Sequence, residues 1–297
     1  MAMGGWLARA GRAFGRGRGA AICSRAGRGW ARPLAWCALL ALLWTPAWSV
    51  LASGEPLAAL RPEASERLEA LPNLSGRWAQ QQVTTSVTRV PVVGEVRSRT
   101  ETLLILDIAQ RGANLTVTAE VCTIAIRNRP NMVRTIIPEE FVRSLGRTTR
   151  TARLTPQPSG VRYEQPRFVE VIGARLGDPE REGLPQDASD PRVVDQDGTG
   201  APGVTVRIGG VVSGDVYVVQ RGWNRLWSTT LSEETFDGVV EWDNEQVVLG
   251  ASNAFIRRDA PASPDPSPAN NFFRTTRVAP DADCRWVERN TSTLFSR

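Results

Sequence analysis

The chain has 297 residues, with 36 Lys+Arg against 31 Asp+Glu, a formal charge of +5 and no histidine. Every basic residue is arginine, which excludes Ser-His-Asp and Cys-His catalysis, H-E-x-x-H zinc sites and lysine Schiff bases together. Carboxylates, hydroxyls and arginines are the chemistry that remains, so the composition points away from the common enzyme classes.

Residues 1–52 read as a secretory signal peptide. An acid-free, arginine-rich stretch precedes an apolar run from Leu34 to Trp44, and small residues around Val50-Leu51-Ala52 form a V-x-A cleavage site. The run is broken by Thr45, Pro46 and Ser49 and falls short of the ~20 apolar residues that span a bilayer, so cleavage is expected rather than stable membrane insertion. Gly54 stands where a lipoprotein signal needs its lipid-bearing cysteine. Cleavage removes seven arginines from the 36 basic residues and leaves 29 against 31 acidic, so the excess of positive charge leaves with the signal and no nucleic-acid partner is expected. Cys23 and Cys37 leave as well. Cys122 and Cys284 then form an even pair in an oxidising compartment, where a disulfide is the default and two buried thiols the alternative. The absence of lysine, with much Ala and Gly, fits a GC-rich genome, and the expected location is secreted or periplasmic.

Residues 53–72 read as a linker or short helix ending at Pro72, and 73–297 as a single all-β domain. Strands are predicted over Gly76 to Val90, Thr102 to Ala109 and Leu115 to Ile126, with Arg111-Gly112-Ala113-Asn114 as a turn. Alternation in the third places Leu115, Val117, Ala119 and Val121 on one face, and Thr116, Thr118, Glu120 and Cys122 on the other. Further strands are expected at Val133 to Ile137, Val161 to Ile172, Val204 to Val212, Val216 to Gln220, Leu226 to Leu231, Val239 to Trp242 and Gln246 to Ile256. Residues 178–202 and 261–271 are loops on composition. Such short spacing, with few helical stretches, predicts an all-β antiparallel barrel or sandwich.

Leu74-Ser75-Gly76-Arg77-Trp78, a G-x-W opening the first strand, resembles the calycin superfamily of lipocalins and avidins. The resemblance implies a closed barrel in which Gly76 lets the strand bend and Trp78 plugs one end. It also implies carriage of a small hydrophobic or amphiphilic molecule. A disulfide from a barrel strand to the C-terminal segment is similar to lipocalin practice. Two lipocalin features fit less well: the T-D-Y triplet is approached only by Asp215-Val216-Tyr217, and Arg257 is one of several arginines that compete for the family's late arginine.

Three constellations are candidate sites. Asp195-Gln196-Asp197-Gly198-Thr199-Gly200 places oxygens of Asp195, Asp197 and Thr199 at calcium-loop spacing, but Val206 stands where a bidentate glutamate belongs, and a plain D-G turn is the competing reading. Tyr217, Trp223, Trp227 and Trp242, with Arg221 and Arg225 among them, could line an apolar pocket with a cationic rim; packed core, or a hairpin tip at residues 221–224, is the bland alternative. The adjacent acids Glu139-Glu140 and Glu233-Glu234 point to opposite faces of a strand and make no catalytic pair. Asp107 shares the face of Leu103, Ile105 and Ala109, either lining a lumen or ending a strand. The expected function is an exported soluble binding protein that is not an enzyme. The runner-up is a cell-envelope interaction module that binds protein or carbohydrate through its loops, with calcium as the one conceivable cofactor.

Overall fold

In a computed structural model, the structure describes residues 71–90, 94–210, 212–257 and 262–296. The signal peptide and most of the predicted linker lie outside the described residues. The elements in order are β1 (Gly76–Val90), β2 (Gly94–Arg111), β3 (Asn114–Arg129), β4 (Val133–Ile136), α1 (Glu139–Ser144), β5 (Arg147–Gln157), β6 (Gly160–Ile172), β7 (Val204–Gly210), β8 (Gly214–Leu231), β9 (Thr235–Ala251), β10 (Ala262–Pro264), β11 (Phe272–Arg277) and α2 (Cys284–Leu294). All strand pairing is antiparallel.

The sheet closes in a ring. β1 pairs β2, then β3, β5, β6, β8, β9 and β11 follow in turn, and β11 returns to β1. Each neighbour in the ring follows the last in sequence once β4, β7 and β10 are set aside. β3 pairs β5 only as far as Glu120, and the β4–β7 pair fills the gap toward β8 beyond it.

One end of the ring is packed shut. Trp78, Leu106, Ile108, Leu115, Val117, Leu154, Tyr163, Leu226, Phe236 and Phe273 point inward as one buried cluster. Trp78 meets Phe236 edge-on at 5.2 Å between centroids, and its indole Nε1 donates to Leu74 O at 2.8 Å. The arginine that covers Trp78 comes from the last ring strand: Arg277 stacks at 4.2 Å and donates to Ser75 O and Asn73 O. Gly76 precedes the tryptophan with φ +127°, a conformation that side chains rarely adopt. A Cβ there would meet the Arg277 guanidinium at 2.9 Å.

The outer wall is covered in two places. α2, capped by Asp283 accepting from Trp286 N, lays Val287 over Ala79, Leu103 and Ile105. A β-bulge opposite Leu103/Leu104 turns Cys122 outward to meet this helix, and Cys122–Cys284 joins them across 162 residues. Such a bond suits an oxidising compartment. The segment between β6 and β7 packs Leu184 and Val193 against Val219 and Leu249 on the outer face of β8 and β9. No helix among the described residues is long and apolar enough to cross a membrane.

The strand predictions differ from the structure in instructive places. Val216 to Gln220 and Leu226 to Leu231 are parts of one strand, β8, and residues 221–224 lie in its middle rather than at a hairpin tip. Val239 to Trp242 and Gln246 to Ala251 are likewise one strand, and its predicted extension to Ile256 is a short 3-10 turn. β5 was absent from the prediction because Arg147 to Ala152 offers arginines and threonines where alternation looks for apolar residues.

Candidate functional site

The register of the ring sorts inward from outward residues. Directly paired residues of an antiparallel ladder share a face. Val117 points into the cluster and pairs Arg150, so Arg150 faces inward. Beyond it in the ring, Asn224 pairs both Phe168 and Trp242, two residues from the inward Leu226 on the same strand. The inner wall therefore carries Arg150, Phe168, Glu170, Asn224 and Trp242 next to the apolar plug.

Arg150 is the unusual member. Its side chain is 13% exposed, its Nη1 donates to Asn224 Oδ1 at 2.6 Å, and its guanidinium stacks at 4.2 Å over the Phe168 ring. The one carboxylate within reach is Glu170, at the outer limit of an ion pair, 4.0 Å. Arg150 Nε and the Tyr163 hydroxyl are both buried without a hydrogen-bond partner. Burial lowers the guanidinium's affinity for its proton, with the Glu170 charge partly restoring it. Burial likewise pushes the Tyr163 phenol well above its ordinary range, with Arg150 opposing. Buried polar groups without partners are rare because each forfeits its hydration. Here two donors, one of them charged, are held unsatisfied on one inner wall.

The rest of the inner wall is also polar. Gln80 Nε2 donates to Thr275 Oγ1 at 3.0 Å and Gln82 Nε2 to Gln80 Oε1 at 2.7 Å, both on the inward face of β1. Trp242 Nε1 donates to Asn271 Oδ1 at 2.8 Å. Past this band, toward the end opposite Trp78, the inward Ser98, Thr100, Thr102, Ile124 and Ile126 keep partial exposure. Across from them the inward Val204, Val206, Val216, Val218 and Val248 form a second buried cluster with Phe141 of α1, against which Ile124 packs.

The aromatic residues expected to share a pocket are divided between the faces. Trp242 is on the inner wall and packs against the apolar cluster. Tyr217, Trp223, Arg225 and Trp227 alternate with inward residues of β8 and lie outside. Along that outer face Arg167 stacks on Trp223 at 5.0 Å and Arg162 on Trp227 at 4.9 Å, while Arg225 sits 3.4 Å from Glu241. Arg221, also outward, pairs Glu245 at 2.7 Å. Asp107 is outward too, in a two-pronged pair with Arg77 at 2.8 and 3.0 Å.

In the 195–200 turn every carboxylate oxygen is engaged. Asp195 accepts from the N–H groups of Thr199 and Gly200 at 3.0 and 2.8 Å, and Asp197 accepts from Thr199 Oγ1 and Thr205 N at 2.9 and 2.6 Å. These bonds close the D-G turn onto the start of β7. Among the described residues no three acids, cysteines or histidines gather as a metal-binding group.

No protein-family model matches the chain, and no curated protein is significantly similar to it. A groove of about 370 Å³ lies on the outer surface, and a larger one of about 640 Å³ runs beside the Cys122–Cys284 bond between β3, α1 and α2, where it also reaches the inward Val121 and Ile124. Their charged residues are of mixed sign, among them the Arg77–Asp107 and Arg147–Glu120 pairs, and no unpartnered buried polar atom faces them.

Proposed function

We propose that this is an exported binding protein that carries a small amphiphilic molecule inside the ring, with an anionic head against Arg150 and an apolar body along the inner wall. The observation that carries the reading is the desolvated guanidinium, 4.0 Å from its nearest carboxylate, beside a buried phenol with no partner. An anion at that place would accept charge-assisted hydrogen bonds from donors that otherwise lose them. Phe168, Trp242 and Ile124 supply apolar surface on the same wall, as small-molecule sites commonly do.

The calycin-like reading belongs with this proposal. It is supported by the G-x-W start of β1, by the eight-strand ring in sequential order, and by Arg277 covering Trp78 from the last ring strand. The acids of the long loop are spent on closing its own turn, which favours carriage over a calcium-dependent loop module.

Displacement of an environment-sensitive dye by alkyl chains of one length, bearing a carboxylate, an alcohol or an ammonium, tests the proposal. A charge-assisted contact of about 1.5–3 kcal/mol corresponds to an affinity ratio of roughly 10- to 100-fold in favour of the carboxylate, and Arg150→Met should abolish that preference. Equal affinity for all three would remove the anionic head; failure of every chain to displace dye, with no co-purifying small molecule by native mass spectrometry, would remove carriage.

A further inference from the structure

The exposed large hydrophobic side chains of the described residues are Met132, Val133, Ile136, Val212 and Phe255, and they gather at one end of the ring. The register requires it. Arg97 pairs Arg129, Val133 pairs Gly210, Ile208 pairs Gly214 and Val216 pairs Ala251, so the β3–β4, β7–β8 and post-β9 turns leave the sheet on the same side. Asn253 ties two of them together: its Nδ2 donates to Ser213 O, and its Oδ1 accepts from Phe255 N at 3.0 Å. Phe255 is thereby held on an ordered turn at 81% exposure. This is the end away from the Trp78 plug, where the inward residues of β2 and β3 keep partial exposure.

The same end is rich in arginine. Among the described residues Arg89, Arg129 and Arg134 have no ion-pair partner, whereas the nearby acids Glu95, Asp215 and Asp265 are each already paired to an arginine. From this combination we infer that this end docks on a membrane surface carrying anionic headgroups, with Phe255, Met132 and Val212 entering the interface and the unpaired arginines meeting phosphates. Apolar tips on separate turns, interleaved with cations, suit a soft surface that yields to each tip, and basic residues add attraction to anionic lipid. A second copy of the chain fits poorly, because self-association would bring unpaired arginines against one another. The inference is independent of what the ring carries.

Co-sedimentation of the purified protein with phosphatidylglycerol-containing vesicles and with pure phosphatidylcholine vesicles tests it. Binding should favour the anionic vesicles, weaken as salt rises, and fall by about tenfold or more in Phe255→Asp/Met132→Asp. Both positions are exposed, so the circular dichroism of that variant should match the parent. Arg129→Gln/Arg134→Gln should flatten the salt dependence while leaving the apolar contribution. Equal binding to both vesicle types, no binding to either, or binding that survives Phe255→Asp/Met132→Asp would overturn the inference. So would a concentration-dependent dimer, seen by sedimentation, that the same substitutions dissolve.

Discussion

Replacing Tyr163 by phenylalanine should make the ligand-free protein more stable and a poorer binder. The ring of Tyr163 is fully buried against Phe236 and Phe273, with centroids 5.0 and 6.3 Å away, and its hydroxyl has no partner. Phenylalanine keeps the ring and so opens no cavity of consequence, while removing a desolvated hydroxyl whose cost is about 1–3 kcal/mol. For a domain of this size each kcal/mol moves Tm by about 2–4 °C, so a rise of about 2 to about 12 °C is expected in calorimetry, with a matching gain in urea. A second signature comes with alkali. The folded phenol is held above its ordinary value of 10.0 by burial, so it stays neutral while the unfolded chain's phenol ionises. Stability that is present below about pH 10 is therefore lost as pH rises past it, and Tyr163→Phe should lose less. If Tyr163→Phe instead lowers Tm by several degrees, the hydroxyl has a partner and the reasoning that makes this wall a binding site fails.

Other outcomes follow from the same structure. Cys122→Ser/Cys284→Ser opens a loop of 162 residues, worth up to about 5 kcal/mol on the chain-entropy estimate, and should lower Tm and raise hydrogen exchange in α2 before the ring. Acid should weaken the fold. Asp190 is held at about 2 by Arg192, and Asp107 and Asp265 also lie below their ordinary range, Asp107 through its hydrogen bonds to Arg77 and Asp265 mainly through those from Ser267 N and Asn270. Their contribution is complete above about pH 4 and is lost as pH falls through the folded values, so Tm should decline between about pH 4 and about pH 2. Calcium should leave Tm unchanged, because the Asp195 and Asp197 oxygens already accept backbone and hydroxyl donors; a calcium-dependent rise would show that the turn opens for the ion.

What could be read from the residues follows the physics of each strand. β1, which spans the predicted residues 76–90, was legible from its valines and threonines, and the first half of β3 because its two faces differ in polarity. Cys122 was correctly placed on the face opposite Val121, although the bulge that aims it at α2 leaves no signal in a single sequence. β8 was read in two pieces because its middle, Arg221 to Asn224, crosses the polar band with a glycine in it, and such a run looks like a turn. The candidate site was hidden for the same reason. Arg150 sits in Arg147-Thr148-Thr149-Arg150-Thr151, where nothing local says that the second arginine faces inward; that follows only from its pairing with Val117. Threonine enrichment was the one available hint of a strand there. Two of the aromatic positions nominated on β8, Trp223 and Trp227, share a face as alternation requires, but sequence alone could not say that this face is the outer one.

A crystal grown with a medium-chain alkyl carboxylate would show where the ligand sits. The carboxylate is expected inside the ring, within hydrogen-bonding distance of Arg150 and Tyr163, with its chain running past Phe168 and Trp242 away from the Trp78 plug. Density for the carboxylate in the groove beside the Cys122–Cys284 bond, or an inner wall unchanged while the ligand binds elsewhere, would contradict it.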